Sequence, residues 1–580
     1  MFQALVKDHP QAKGLADALS ACRSHFVTAA GFSALTNMLY LAPTLYMMQV
    51  YNRVVPTGGL TTLAVLTVVV MLSLATLSAL DSIRTRLLVR AGLRLDRLLA
   101  DQVLSRVVAD PRSSDKGSQA MRDFDNVRSA LTGPGVVALL DAPWSLIFLL
   151  VCFILHPLLG LLTLGGAVVL LVLAVLNERD TRPRLKRAIA ATNAAYQAQG
   201  SMTRQSEVVR ALGMRRAMIA RQLEARDEAT TAHAEAQLNG GGFRGLIKFS
   251  RLAMQSIALG LGAYLAVRGE VSVGAIIAAS VLLSRTVAPI EQAVGAWPSL
   301  VQAWASWKTL LELFTATADP ERDRTALPAP VGQLFVDKVG VRFKEGDNPQ
   351  LKPLSLTVDP GQILGVVGPS GSGKTTLARV MGGGITPTLG AMRLDGADYR
   401  NWDSERLARH IGYLPQRATL FAGSIRDNIA RFAADVGTPR EEVDHKAVEA
   451  AKTAGVHEMI LALPGGYDAV LGQEGAGLSA GQSQRIALAR ALYDDPHLVV
   501  LDEPNSNLDQ DGEAALTLAM NRVKARGGIV VIVAHRAGIL AVADRLLVMK
   551  NGSIELLGPR QEVLERLAPK RPGPRVASVQ

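Results

Sequence analysis

The chain has 580 residues, 49% of them hydrophobic, and 62 Lys and Arg against 51 Asp and Glu give a formal charge of +11; its mean hydropathy is +0.21. At roughly 100–200 residues per domain that length excludes a single domain, and so apolar a composition calls for membrane spans. Cys22 and Cys152 are the only cysteines, which excludes a disulfide framework or a cysteine metal site.

The positive charge fits the cytoplasmic loops of a membrane protein; no RNA- or DNA-binding signature accompanies it, so no nucleic-acid partner is expected. There is no short apolar segment followed by a cleavage site, hence no secretory signal is expected.

In chain order, residues 1–24 are mixed and polar and read as a cytoplasmic lead-in. Apolar segments follow at 26–50, 60–80, 136–155, 158–176, 247–267 and 273–294. Each is near the ~20 residues that cross a bilayer. His156-Pro157 interrupts the third and fourth, and reads as a tight hairpin or as one bent, buried helix. Arg84, Arg86, Arg90, Arg94 and Arg97 follow span two, and Arg182, Arg184, Lys186 and Arg187 follow span four. The short connections at 51–59, 156–157 and 268–270 carry few charges and face outward, so both termini are cytoplasmic. Segments 81–134 and 177–248 are polar and helix-favouring, and read as membrane helices continued into the cytoplasm, with a turn at 111–117.

Arg285 lies about 17 Å into span six at ~1.5 Å per residue, with Gln292 on the same face. Two placements fit. Either Arg285 faces a polar cavity and is a pathway candidate, or span six is shifted and the side chain snorkels to the headgroups. Residues 315–330 (TATADPERDRTALPAP) form a charged, Pro-bearing linker, and 566–580 a disordered tail.

The second half is organised around Gly368-Pro369-Ser370-Gly371-Ser372-Gly373-Lys374-Thr375, followed by Thr376. An apolar strand at 363–367 precedes it and a helix follows, the context a Walker A phosphate loop requires. Its glycines admit close backbone approach to phosphate, Lys374 reaches the β- and γ-phosphates, and the Thr375 hydroxyl suits Mg²⁺. Gln416 ends one apolar strand, Asp502-Glu503 ends another at 498–503, and His535 ends a third at 529–534. Short strands alternating with helices imply a parallel sheet with its ligand at the strands' carboxyl ends, where all four residues fall.

Taken together, residues 331–560 resemble an ATP-binding-cassette nucleotide-binding domain. Gln416 matches the Q-loop, Leu478-Ser479-Ala480-Gly481-Gln482 the signature, and Asp502-Glu503 Walker B with the catalytic glutamate. Residues 506–509, ending in Asp509, match the D-loop, and His535 matches the switch histidine. The resemblance implies ATP and Mg²⁺, with Thr375, Gln416 and Asp502 around the metal, Glu503 polarising the attacking water and His535 at the γ-phosphate. It also implies that Ser479, Gly481, Gln482 and Asp509 serve ATP held by a second chain, hence a homodimer. Three positions depart from the pattern: Ala480 for the first signature Gly, Gln473 before the signature, and Glu345 where an aromatic commonly stacks on adenine two residues after Phe343.

Six spans ahead of one cassette resemble an exporter half-transporter. Gln49-Val50-Tyr51-Asn52-Arg53-Val54-Val55-Pro56 with Thr61-Thr62-Leu63 resembles the outer end of span one in type I secretion permeases, with Asn52 in an Asp position. Asp141-Ala142-Pro143-Trp144 and the stretch Glu207-Val208-Val209-Arg210-Ala211-Leu212-Gly213-Met214 are similar to the same family. The implied fold is a membrane all-α domain of six transmembrane helices (type I exporter fold) fused to a cytoplasmic α/β P-loop ATP-binding-cassette domain. Its divisions are 1–24, 25–314, 315–330, 331–565 and 566–580.

The resemblance further implies an ATPase of the bacterial inner membrane that exports unfolded proteins with an uncleaved C-terminal signal. It points to the protease, lipase and S-layer exporter branch, without an N-terminal peptidase-like domain. The implied partners are membrane lipids, a secreted protein substrate, a periplasmic adaptor (membrane fusion protein) and a TolC-like outer-membrane protein. A lipid or drug exporter is the alternative, and a cassette that binds ATP without hydrolysis a third reading.

Overall fold

A computed structural model describes residues 12–109, 117–316, 327–342, 348–472, 475–534 and 537–567. The chain divides into two compact units, Met1–Pro320 and Glu321–Gln580. The turn expected at 111–117 lies outside the described residues except for Gly117, which begins a helix, and most of the linker at 315–330 and the tail beyond Leu567 lie outside them too.

The first unit is helical. Four helices dominate it: Leu60–Ala109, Pro157–Arg204, Arg215–Val267 and Val273–Ala316, of 50, 48, 53 and 44 residues. At ~1.5 Å per residue these are about 65–80 Å long, more than twice a ~30 Å hydrocarbon core. The apolar spans therefore run on into polar extensions, as the sequence implies. Among the described residues, four helical segments are long and apolar enough to cross a membrane: Leu60–Ala109, Gln119–Leu155, Pro157–Thr203 and Val273–Ala316. The other two expected spans have physical reasons for falling short of that. Span one is broken into Arg23–Leu39 and Leu41–Gln49, then a π-helical turn at Val50–Val54. Span five is the end of Arg215–Val267, where Lys248, Arg251 and Gln255 dilute the apolar run.

Helix Val273–Ala316 is the central one, with 56% of its apolar stretch buried against 6% for Leu60–Ala109. It continues through Pro289 and Pro298 because neighbouring helices pack around it. His156 resolves the hairpin question. It is extended between Ser145–Leu155 and Pro157–Arg204, and its ring Nδ1 accepts from Leu158 N at 3.2 Å. The two helices pack on one another so closely that a Cβ on Gly160 would lie 2.3 Å from the Phe153 ring.

The lead-in differs from the polar segment expected. Lys13–Ala21 is a helix whose Leu15, Ala18 and Leu19 are buried with Leu95, Phe124 and Phe314. At the other end of span one, Asn52 uses both faces of its amide. Its Nδ2 donates to Ser272 Oγ at 2.8 Å and its Oδ1 accepts from Gly274 N at 2.9 Å, tying the π-helical turn to the start of the last helix.

The second unit is α/β. Strands β1 (Leu334–Val341), β2 (Leu351–Val358), β4 (Leu389–Leu394) and β5 (Ala397–Asp398) form a sheet of order β2-β1-β4-β5. Strands β3 (Ile363–Val367), β6 (Ile411–Leu414), β9 (Leu498–Asp502), β10 (Ile529–Val533), β11 (Arg545–Lys550) and β12 (Ser553–Pro559) form a second, of order β12-β11-β3-β10-β9-β6. Strands β7 (Gly423–Ser424) and β8 (Val470–Leu471) pair separately.

β9 and β10 are buried at every residue, as continuous apolar runs in a parallel sheet must be. One core packs Ile486, Leu516 and Val530 on one side of this sheet, and another packs Leu377, Val500 and Val531 on the other. Because β3, β6, β9 and β10 are parallel, their carboxyl ends share one edge.

Candidate nucleotide site

At the end of β3 the chain turns through Gly368, Gly371 and Gly373, with φ of +151°, +78° and +96°, into helix Lys374–Met381. Two of these glycines are also forced by space. A Cβ would stand 2.2 Å from Met549 O at Gly368, and 2.9 Å from Gln350 O at Gly373. Pro369, Ser370 and Gly371 form the exposed rim, while Ser372 and Lys374 are buried and Thr375 and Thr376 half-buried.

Lys374 Nζ donates to Gly368 O and Pro369 O, both at 2.9 Å, so the ammonium closes the loop on itself. Burial lowers its pKa, opposed by the charges of Glu503 and Asp502. Asp502, the last residue of β9, is fully buried, and burial raises its carboxyl pKa. Its Oδ1 stands 3.5 Å from the Thr375 hydroxyl, and its Oδ2 has no hydrogen-bond partner among the described residues. Ser372 Oγ is likewise buried and, among the described residues, unpartnered. Orphaned oxygens beside a helix N-terminus and a lysine are what a hard divalent cation and a polyphosphate would satisfy, so the residues present fit Mg²⁺ and a nucleotide.

Glu503 follows in the left-handed region at φ +50°, a conformation of order 1–3 kcal/mol above the ordinary one for a non-glycine. Its N–H donates to Val533 O at 2.9 Å, and its carbonyl accepts from Gln484 Nε2 at 3.2 Å. Gln484 also donates to Pro504 O at 2.6 Å and accepts from Asn507 N at 3.1 Å, so one buried amide shapes the turn after β9. The sequence reasoning overlooked Gln484; the only signal was a second glutamine two residues after Gln482.

Ser479 caps helix Ala480–Leu492. Its hydroxyl accepts from Gln482 N at 3.2 Å, and Gln482 Oε1 accepts from Ser479 N at 2.9 Å. Gly481 leaves no room for a side chain, since a Cβ would be 2.9 Å from Asn507 O. Asp509 caps helix Gln510–Ala525 and pairs with Arg485; the Gly512 N–H and the Arg485 guanidinium hold its carboxyl below the usual range.

The structure therefore gathers Lys374, Thr375, Asp502 and Glu503 around the glycine loop. Ser479, Gly481, Gln482 and Asp509 form a second group whose hydrogen bonds, among the described residues, do not reach that loop. Gln416 is exposed just past β6. His535 lies outside the described residues, as do Gln473, Glu474, Phe343 and Glu345. In the first unit Arg285 is half-buried, its guanidinium carbon 3.7 Å from the centroid of the Tyr40 ring.

Comparison with known proteins finds a family model in each half of the chain. Residues 26–290 match the ABC transporter transmembrane region and 351–506 the ABC transporter family model. The chain is 42% identical over 557 residues to the type I secretion system ATP-binding protein PrsD of Rhizobium meliloti, covering 95% of this chain and 94% of that one. It is 30% identical to the toxin RTX-I translocation ATP-binding protein of Actinobacillus pleuropneumoniae, over 93% of this chain and 76% of the other. A solved bacterial Atm1-family ABC exporter with ATP bound superposes with TM-score 0.81 at 23% identity, over 94% of this chain and 97% of that one, a likeness of fold.

Proposed function

This chain belongs to the ABC transporter family, and we propose that it is the ATP-hydrolysing inner-membrane component of a type I secretion system that exports unfolded proteins with an uncleaved C-terminal signal. The observation that carries the reading is the 42% identity to a type I secretion ATP-binding protein, which runs through both the membrane and the ATPase half.

In this reading the loop 368–375 cradles the phosphates of ATP, and Lys374 exchanges its two loop carbonyls for β- and γ-phosphate oxygens. Thr375, Asp502 and Gln416 hold Mg²⁺, which supplies charge neutralisation on the phosphates. The Oδ2 of Asp502, buried and without a partner among the described residues, supports that assignment. Glu503 orients and polarises the attacking water, its backbone fixed by Val533 and Gln484, and His535 contacts the γ-phosphate. Catalysis is then mostly positioning and charge, as phosphoryl transfer requires.

Ser479, Gly481, Gln482 and Asp509 complete the site of a second copy in a homodimer. The exposure of Ser479 and their separate hydrogen bonding support that role. Arg285 lines the export pathway, and its stacking on Tyr40 gives the charge a partner other than lipid. A periplasmic adaptor and a TolC-like outer-membrane protein continue the route.

Two measurements test this. Glu503→Gln retains ATP binding but loses ATPase turnover at least a hundredfold, about 3 kcal/mol of barrier; equal turnover would remove Glu503 from its role. Deleting the gene removes from the culture supernatant one or a few proteins that share a C-terminal segment. An unchanged supernatant with altered envelope lipids or drug sensitivity would instead make the chain a lipid or drug exporter.

A further inference from the structure

Helix Ala480–Leu492 has two sides with different tasks. Ser479 and Ala480, at its start, are exposed, whereas Gly481, Gln484 and Arg485 meet the turn that carries Glu503. At Gly481 the backbones approach so closely that a Cβ would lie 2.9 Å from Asn507 O. Arg485 pairs with Asp509. Between these two lies Gln484, 3% exposed. Its Nε2 stands 3.2 Å from Glu503 O, 2.6 Å from Pro504 O and 3.3 Å from Ser506 Oγ, and its Oε1 accepts from Asn507 N at 3.1 Å. A carboxamide offers two N–H groups and one oxygen, so Gln484 commits its whole hydrogen-bonding capacity to this one turn.

Glu503 needs such support. At φ +50° its backbone is in a region that a non-glycine keeps only when its surroundings impose it. Two anchors do so. The Glu503 N–H donates to Val533 O at 2.9 Å, and Val533 ends β10, a strand buried at every residue. The Glu503 carbonyl is shared by Gln484 Nε2 at 3.2 Å and Ser506 N at 3.3 Å. One end of this peptide is therefore tied to the sheet and the other to the helix.

The three contacts between helix and turn are unequal. The approach at Gly481 sets a distance but has no direction. Asp509 is exposed, so its pair with Arg485 is screened and worth little. The Gln484 bonds are buried and directional, and a buried polar group forced away from its partners loses them without water to replace them. A displacement of the helix is thus passed to the Glu503 peptide, and with it to the side chain, chiefly through this amide.

We propose that Gln484 is a positioning residue that makes hydrolysis at one nucleotide site depend on occupancy of the other. ATP of the second copy, met by Ser479 and Gly481, sets the position of the helix. Gln484 transmits that position to Glu503, which acts on the ATP held by its own chain's loop. The inference rests on the reading of Glu503 as the residue that orients water and of Ser479 as a contact to the second copy's ATP.

The test measures binding and hydrolysis of ATP with Mg²⁺ by the full chain in lipid nanodiscs. Gln484→Met keeps the length of the side chain and has no N–H. It should bind ATP as the parent does, lose about tenfold in kcat, and turn a sigmoidal dependence on ATP into a hyperbolic one. Gln484→Glu supplies a readout that packing alone would not move. Its protonated carboxyl donates to Pro504 O as the amide does, whereas its ionised form cannot. Burial raises the pKa of such a carboxyl, so the donor is present at low pH and lost as pH rises. The kcat of Gln484→Glu, relative to the parent at the same pH, should fall about fivefold from about pH 6.5 to about pH 8.5, and that of Gln484→Met should stay flat. Should Gln484→Met fail to fold, the pH profile of Gln484→Glu decides. A flat profile for Gln484→Glu would overturn the proposal, and so would parental kcat and cooperativity in Gln484→Met or a parent without cooperativity. Glu503→Gln separates the two levels: parental turnover there removes the underlying role of Glu503, whereas lost turnover there with parental Gln484→Met removes only the role of Gln484.

Discussion

Asp141 shows what one side chain can fix. Its Oδ1 accepts from Ser33 Oγ at 2.8 Å, Asn37 Nδ2 at 2.7 Å and Arg84 Nη1 at 2.9 Å, all buried, so one carboxylate joins the first three spans. Asp141→Ala would leave the Arg84 guanidinium, among the described residues, with the Ser33 hydroxyl and with Asp81, which is half exposed, as its one remaining carboxylate, and should cost up to about 3–5 kcal/mol, the usual penalty for stranding a buried charge. Asp141→Asn, which keeps an oxygen for Ser33 and Asn37, should cost less. Thermal unfolding of the purified chain in detergent checks this, and an Asp141→Ala midpoint equal to the parent's would show the network to be without structural weight. Asp141 was legible only through the Asp-x-Pro-Trp run, which says that an acid stands there but not what it binds. The loop residues Lys374 and Thr375 and the acids Asp502 and Glu503 were legible outright, because strand, turn and helix chemistry fix their spacing locally. Gln484 was not, because its partners Glu503, Pro504 and Asn507 come from a distant segment and a helix-borne glutamine carries no local mark of that.

The helices were readable where a single period governs them and obscure where tertiary packing does. The long extensions followed from polar, helix-favouring composition, and the break at His156 from one proline. The helix Lys13–Ala21 did not, although Leu15, Ala18, Leu19 and Cys22 recur at three and four residues, because so short a segment gains its stability only from the partner it packs on. That dependence makes it testable. Leu15 and Leu19 are 1% and 2% exposed, so Leu15→Asp buries a carboxylate among Leu95, Leu99 and Phe314 and should detach the helix. Limited trypsin digestion should then cut at Arg23 under conditions where the parent resists, with the remaining helices still protected. Equal resistance of variant and parent would mean that the contacts hold without Leu15. The π-helical turn at Val50–Val54 is the other element no period announced. It is maintained by Asn52 reaching Ser272 and Gly274, 220 and 222 residues away, and a contact so remote leaves no local trace.

For the whole molecule, the site geometry sets the terms of assembly. The loop group and the signature group sit on one chain without hydrogen bonds between them among the described residues, and each has its own internal partners. If two chains meet so that each signature covers the other's loop, defects in the two groups must complement when placed on different chains. Lys374→Ala spoils only the loop. Ser479→Arg spoils only the signature face, because Ser479 is exposed and loss of its cap costs about 1 kcal/mol, too little to unfold the unit. Each variant alone should hold no occluded ATP, since both sites of a homodimer would contain the defect. Co-expressed in equal amounts, about half the dimers are mixed, and each mixed dimer has one site with both parts intact and one with both spoiled. In a Glu503→Gln background, where occlusion is counted without turnover, the mixture should trap about a quarter of the parent's ATP, as statistics alone dictate. Trapping no greater than that of either variant, with folding confirmed, would show that the chain completes its own site and would remove the homodimer from the mechanism.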